Sequence, residues 1–336
     1  MAASNRIGAT LRRWYERGHR KLPWRATTDP YRIWVSEIML QQTRAQAVIP
    51  YYERFLKRFP TVESLAASEE EEVLTLWAGL GYYSRARNLR RAAQQVADSG
   101  GFPREFDALR ALPGIGDYTA AAIASIAFHL PHAVVDGNVL RVVARHENDA
   151  ADIGSARTRE RFREIAQSWL DRPHPGVFNQ AMMELGATVC LPRNPLCHDC
   201  PLAPGCEALA AGTVAQLPVK LGRKEPVRIE GTLLIVRRRG RLLLRQREPD
   251  VRLMAGFWDL PTPADLPSAR IGHCFGEIRH SITHHQYTLQ VAAATVRVPK
   301  GPFRWFADEE LTQVPLSTTA RKALNLEDRS LALLNE

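Results

Sequence analysis

From about residue 7 to residue 210 the apolar positions recur at spacings of three and four, with no alternating stretch of any length. That period predicts an all-α body of roughly ten helices, among them 7–20, 31–44, 61–65, 68–78, 84–96, 118–128, 157–169 and 175–189. Ser68 and Glu71, three residues apart, predict a capping box at the start of one of them. Residues 212–226, GTVAQLPVKLGRKEP, have linker composition, and beyond them the period changes. The runs 229–236 and 242–246 flank Arg237-Arg238-Arg239-Gly240, a hairpin signal. Further strands are expected at 287–296 and 304–306, and a helix from Ser317 or Thr318 to Leu324. RHSITHH, 279–285, reads as a polar loop between strands. The C-terminal third is thus a separate α+β domain.

Residues 111–141 are the most pointed stretch for chemistry. Leu112-Pro113-Gly114-Ile115-Gly116 predicts a tight turn, with Asp117 opening an Ala-rich helix behind it. Unpaired N–H groups at such a helix start, with the positive end of the helix dipole behind them, suit a phosphate. After the break at Pro131, Asp136 immediately precedes Gly137-Asn138, where a new helical pattern begins. Its place in a positive local field is expected to keep it ionised.

On the 31–44 helix Glu37 shares a face with Ile33 and Leu40, beside Trp34, Ile38 and Gln41. Such apolar surroundings raise a carboxyl pKa and prepare it to deliver a proton, although an ordinary half-buried glutamate would show the same pattern. Leu22-Pro23-Trp24-Arg25 places an aromatic beside a guanidinium, through packing or as the wall of a base pocket. Gly79-Leu80-Gly81-Tyr82-Tyr83, with Arg85 and Arg87 close behind, could press an aromatic wedge into a duplex while the arginines hold phosphates.

Composition narrows the class. The 336 residues are 45% hydrophobic, enough to bury a full core, and the formal charge of +9 favours a polyanionic partner or solubility. No apolar leader and no stretch of membrane-spanning length is present, so a cytoplasmic protein is expected, associated with the nucleoid in a bacterium. Four of the five cysteines, Cys190, Cys197, Cys200 and Cys206, are spaced C-x6-C-x2-C-x5-C, and Cys274 stands apart as a free thiol. Four thiolates fit either zinc or a cubane iron–sulfur cluster. The single short hook, where a closed zinc knot has two, leans toward [4Fe–4S]. His198, between two ligands, reads as a surface residue.

Taken together, SEIMLQQT, GLGYYSRARNL, LPGIGDYTA, VVDGNV and the cysteine spacing resemble the adenine DNA glycosylases of the MutY type, in that family's order and over essentially the whole chain. The resemblance implies a helix-hairpin-helix glycosylase core at 1–211, a six-helix subdomain at about 28–132, and a cluster subdomain formed by about 1–27 and 133–211. The 212–226 linker then leads to a NUDIX-like domain at 227–336. It implies one [4Fe–4S] cluster per chain, and a monomer acting on double-stranded DNA with adenine opposite 8-oxoguanine or guanine. By resemblance Glu37 protonates adenine N7. Asp136 stabilises the oxocarbenium charge or forms a transient bond to C1′, and Tyr118 and Asn138 stand beside the sugar. Gln42 and Tyr82 match residues in the base stack, and Trp24 and Arg25 match the adenine pocket. Tyr118 occupies the place where strand-cleaving relatives carry a Schiff-base lysine, which implies a monofunctional enzyme.

MAGFWDLP, 254–261, and WFADEEL, 305–311, resemble the family's C-terminal domain. A working NUDIX hydrolase needs a Glu-rich helix after the first motif, but 261–270 holds Asp265 as its one carboxylate, so lesion readout is expected and triphosphate hydrolysis is not. Where relatives read the oxidised guanine with Phe-Ser-His, this chain has Ile282-Thr283-His284 and lacks the ring. A thymine or uracil mismatch glycosylase would share hairpin and cluster but leave this large domain without a role. A DNA-binding scaffold would leave Glu37 and Asp136 without one.

Overall fold

The computed structural model describes residues 2–222, 225–248, 254–282, 284–297, 299 and 301–334. In chain order its helices are α1 (Ala2–Arg17), α2 (Pro30–Leu40), α3 (Ala45–Arg58), α4 (Val62–Ala66), α5 (Glu70–Trp77), α6 (Ser84–Asp98), α7 (Phe106–Arg110), α8 (Asp117–Phe128), α9 (Gly137–His146), α10 (Ala156–Trp169), α11 (Pro175–Thr188) and α12 (Glu207–Ala210). Among the described residues no strand precedes Val227. Then follow β1 (Val227–Ile235), β2 (Arg237–Arg238), β3 (Arg241–Gln246), β4 (Trp258–Asp259), β5 (Arg270–Ile282), β6 (His285–Thr295), β7 (Phe303–Phe306) and α13 (Thr318–Leu334).

Contacts divide the chain into two units, Met1–Ala66 with Arg91–Arg223, and Ala67–Arg90 with Lys224–Glu336. By contacts the segment 67–90 therefore groups with the C-terminal residues. Tyr83 packs on Phe257 with ring centroids 4.0 Å apart, an aromatic contact that no local pattern announces.

In the first unit α8 is the central helix, with every residue from Thr119 to Ile126 buried. Its alanines keep it thin, so α2 packs on it and α11 crosses it closely. A Cβ at Gly176 of α11 would lie 2.9 Å from Ile126 Cα and from the Ser125 carbonyl oxygen. Helix starts follow capping chemistry. Asp29 accepts from the Tyr31 N–H at 2.9 Å ahead of Pro30, and Asp136 accepts from the Asn138 and Val139 N–H groups at the start of α9. The N-cap of α5 is Glu69, with the helix starting at Glu70, and not the Ser68 that the expected box with Glu71 requires. Reciprocal bonds of this kind join Thr61 and Ser64 instead, at 3.1 and 3.3 Å.

In the second unit β1, β6 and β5 form one sheet, β1 parallel and β5 antiparallel to β6. Strands β2, β3 and β4 form the other, with β7 antiparallel to β3. The expected hairpin is present, and Arg239 and Gly240 at its tip have φ of 51° and 70°, as a two-residue primed turn requires. Strand β5 escaped the sequence reading. It is irregular between Ile271 and Gly276, carries two glycines and exposes its first residues, so its alternation is broken. As a result RHSITHH is largely strand, with Arg279–Ile282 in β5 and His285 opening β6. Helix α13 runs ten residues past the expected Leu324.

Candidate active site

A cleft of about 710 Å³ in the first unit is lined by Trp24, Arg25, Glu37, Gln42, Tyr118, Asp136 and Asn138, among others. Residues far apart in sequence converge there. Glu37 on α2 is 4% exposed, and its Oε2 accepts a 2.5 Å hydrogen bond from the Tyr118 hydroxyl on α8. Burial lifts its pKa to about 7, with Asp136 adding to the rise and Tyr118 and Arg25 opposing it. Burial, together with Glu37, also raises the Tyr118 pKa well above the phenol range, so the hydroxyl keeps its proton. Its oxygen lies 3.2 Å from the Met183 sulfur.

Asp136 caps α9. Oδ1 accepts from the Asn138 and Val139 N–H groups at 2.9 and 2.8 Å, and Oδ2 from the Asn138 amide at 2.8 Å. The positive field expected from the sequence is therefore in place, but burial outweighs it and the pKa is raised. The loop ahead of Asp136 is tied down from two helices. Asn179 of α11 accepts from the Val134 N–H and donates to the His132 carbonyl, and Gln167 of α10 accepts from the Ala133 N–H. Neither residue carries a local signal of this role. The chain of bonds continues inward, as Arg141 donates to Asn138 Oδ1 at 2.9 Å, to the Gly186 carbonyl and to the Cys190 carbonyl.

The wall of the cleft holds Trp24, buried edge-on against Tyr52, and Arg25, whose guanidinium bonds Glu184 at 2.7 Å. Gln42 follows α2 with φ of 60°, a region costly for a residue with a side chain, and Gln41 beside it donates to Thr119 at 3.3 Å. In the hairpin, Gly114 has φ of 76° and needs its glycine. Gly116 is extended, and nothing fills the place of its missing Cβ, leaving room for a phosphate.

In the second unit Tyr82 also takes positive φ, 49°, and is 47% exposed. Arg85 and Arg87 both have partners within the protein. Arg85 folds back on the Leu80 and Gly81 carbonyls and over the Trp77 and Tyr82 rings, and burial lowers its pKa to about 10. Arg87 bonds Glu70 at 2.7 Å and the Ala255 carbonyl. Backbone carbonyls and a carboxylate within reach outcompete solvent for both guanidiniums.

Cys190, Cys197, Cys200 and Cys206 ring one pocket together with Arg145. Burial, then the neighbouring thiols, push Cys200 up to about 11, so the sulfurs stand within electrostatic reach of one another. Arg145 Nη1 donates to Cys190 Sγ at 3.3 Å. Among the described residues no group of three or more His, Cys, Asp or Glu is arranged to hold a metal ion. His198 is turned outward, its side chain 76% exposed.

Residues 35–168 match the HhH-GPD superfamily base excision DNA repair protein family, and 231–326 match the NUDIX domain. The chain is 34% identical to the adenine DNA glycosylase of Homo sapiens, over 94% of its own length and 73% of that protein. To the Mus musculus adenine DNA glycosylase it is 35% identical, over 95% and 77%. The chain belongs to the adenine DNA glycosylase family. Over 62% of its length the chain is also similar in fold to 98% of a thermostable thymine-DNA glycosylase, with a TM-score of 0.56 and 28% identity. Endonuclease III, solved in a non-covalent complex with DNA, shares the fold at a TM-score of 0.52 and 22% identity, over 62% of this chain and 97% of that one.

Residues 261–269 form turns, and Asp265 is occupied by Thr262 and, at 2.7 Å, by Arg245. Ile282 pairs in register with His285, and the His284 ring lies 4.1 Å from that of His285. Thr283 lies outside the described residues. Among the described residues no helix is long and apolar enough to cross a membrane.

Proposed function

We propose that this chain is a monofunctional adenine DNA glycosylase that hydrolyses the N-glycosidic bond of adenine paired with 8-oxoguanine or guanine in double-stranded DNA, acting as a monomer. The observation that carries the reading is a buried acid with a pKa near 7, bonded to a tyrosine, in one cleft with a second carboxylate held by three donors. Adenine leaves poorly as an anion, so Glu37, half protonated near neutrality, delivers a proton to N7 as the bond breaks. Tyr118 orients that carboxyl by donating to its other oxygen. Asp136 faces the cation developing on the sugar, as an electrostatic partner or in a transient bond to C1′. Glu37, ionised by its transfer, then activates water, by analogy with retaining glycosidases. Tyr118 has no amine, so no Schiff base forms and an abasic site is the product.

The base reaches this cleft only when flipped from the duplex. Gln42, on a positive-φ turn beside the cleft, suits the space it vacates, and Tyr82 is assigned to the base stack by family resemblance alone. Cys190, Cys197, Cys200 and Cys206, which line one pocket, would hold one [4Fe–4S] cluster, the group toward which their spacing leans. That cluster would cross-link the end of α11 to the start of α12 and add one-electron redox capacity. Residues 227–336 read the oxidised base, through the sequence Ile282-Thr283-His284 that takes the place of the family's Phe-Ser-His.

Single-turnover incubation with duplexes carrying A opposite 8-oxoguanine, G, C or T, followed by alkaline cleavage, tests the reading. Adenine release opposite 8-oxoguanine and G, with strands intact before alkali, is expected. Thymine or uracil release without adenine release would overturn it.

A further inference from the structure

One wall of the cleft carries charge that the reaction above does not use. Arg20 and Arg25 reach it from the N-terminal segment and Glu184 from α11, and the two arginines line the same cleft as Glu37. Glu184 is 2% exposed and accepts from the Arg20 side chain at 2.6, 2.9 and 3.1 Å, from the Arg20 N–H at 3.0 Å and from Arg25 at 2.7 Å. Arg25 also donates to the Arg20 carbonyl and lies over the Tyr15 ring. The three side chains form one closed ion cluster of two cations and one anion.

We propose that Glu184 is a positioning residue for the glycosylase reaction: it gathers Arg20 and Arg25 into one cluster and so keeps their charge from ionising Glu37. The inference rests on the reading of Glu37 as the acid. The groups facing Glu37 are Tyr118 from α8, Asp136 at the head of α9 and Arg25 from the turn Pro23–Arg25, while α11 offers the uncharged Met183. Of these Arg25 is the cation, and a cation favours the carboxylate, the wrong state for an acid. A base taking up a proton would meet the same repulsion. Burial pushes the Glu184 carboxyl up, but the Arg20 and Arg25 bonds overcome it and hold its pKa at about 2, so its charge is present at every pH where the enzyme works.

The test is the pH dependence of single-turnover adenine release from pH 5 to 9, where the alkaline limb reports the acid. Glu184→Gln keeps the shape and one acceptor but deletes the charge. The limb is expected to move down by about one pH unit, with the rate at pH 8 falling about tenfold and the rate at pH 5.5 within about threefold of the parent. Glu184→Asp should restore part of the shift. Arg20→Gln removes a cation from the exposed side of the cluster and should move the limb upward. It also decides the matter should Glu184→Gln fail to fold. A loss of rate equal at all pH values in Glu184→Gln, or an Arg20→Gln limb that is unmoved or lower, overturns the inference and leaves a merely structural clamp. Full activity of Glu37→Gln would instead sink the assignment of the acid itself.

Discussion

Glu37 shows, within one residue, how a site can trade stability for reactivity. Its pKa stands at about 7 against an ordinary 4.5, so the folded state favours the protonated form. Stability from this group is complete below about pH 4.5 and is lost as pH rises through 7, reaching ~3 kcal/mol above pH 8. Glu37→Gln, which imitates the protonated acid, is therefore expected to stabilise the protein by up to ~3 kcal/mol at pH 8 and to change it little at pH 4.5. Urea melts at the two pH values measure this, and equal effects at both would show that the carboxyl is not held in an apolar site. The same variant should bind the lesion duplex and release almost no adenine. Asp136 moves in the same direction, since burial raises its pKa against the three donors that oppose it.

Among the helices, what matters is how closely they approach. A Cβ at Gly186 of α11 would stand 2.5 Å from Asn138 Cβ and 3.1 Å from its Cα, and Asn138 is the residue that holds Asp136 from the side. Gly186→Ala must then push α11 from α9 at the point where Asp136, the proposed catalytic carboxylate, is anchored. A cost of about 1–3 kcal/mol, typical of overpacking, is expected, with a fall in base release larger than the fall in duplex affinity. Thermal melts and single-turnover rates read the two effects. A variant as active and as stable as its parent would mean that the helices slide apart freely. The α8 alanines and Gly176 follow the same rule, since small residues set how near two helix axes lie.

For the whole molecule the open chemical question is the content of the cysteine pocket. Protein purified without oxidation is expected to be brown, with about four iron atoms per chain, because four thiolates around a pocket suit a cubane. Metal analysis giving about one zinc and no iron would reverse that assignment. The net charge of +9 belongs to this scale too. Arg85, Arg87, Arg20 and Arg25 all spend their guanidiniums on partners inside the protein, so formal charge overstates what is free to meet a phosphate.

Much was legible without coordinates where the cause is local. Helical period, proline and glycine breaks, the helix start behind Asp136 and the Arg239-Gly240 turn all rest on interactions within a few residues, and short motifs carry them. Candidate chemistry was legible as residue types, down to a carboxyl on an apolar face and a tyrosine in place of a lysine. The tertiary structure alone decided which of these meet. Tyr118 and Glu37 are 81 residues apart, Arg20 and Glu184 164, and Asn179 and Val134 45, and nothing near any of them in sequence names its partner. Burial was hidden for the same reason. It lifts Glu37, outweighs the helix field at Asp136 and turns Arg85 inward, and it depends on what the rest of the chain packs against each group.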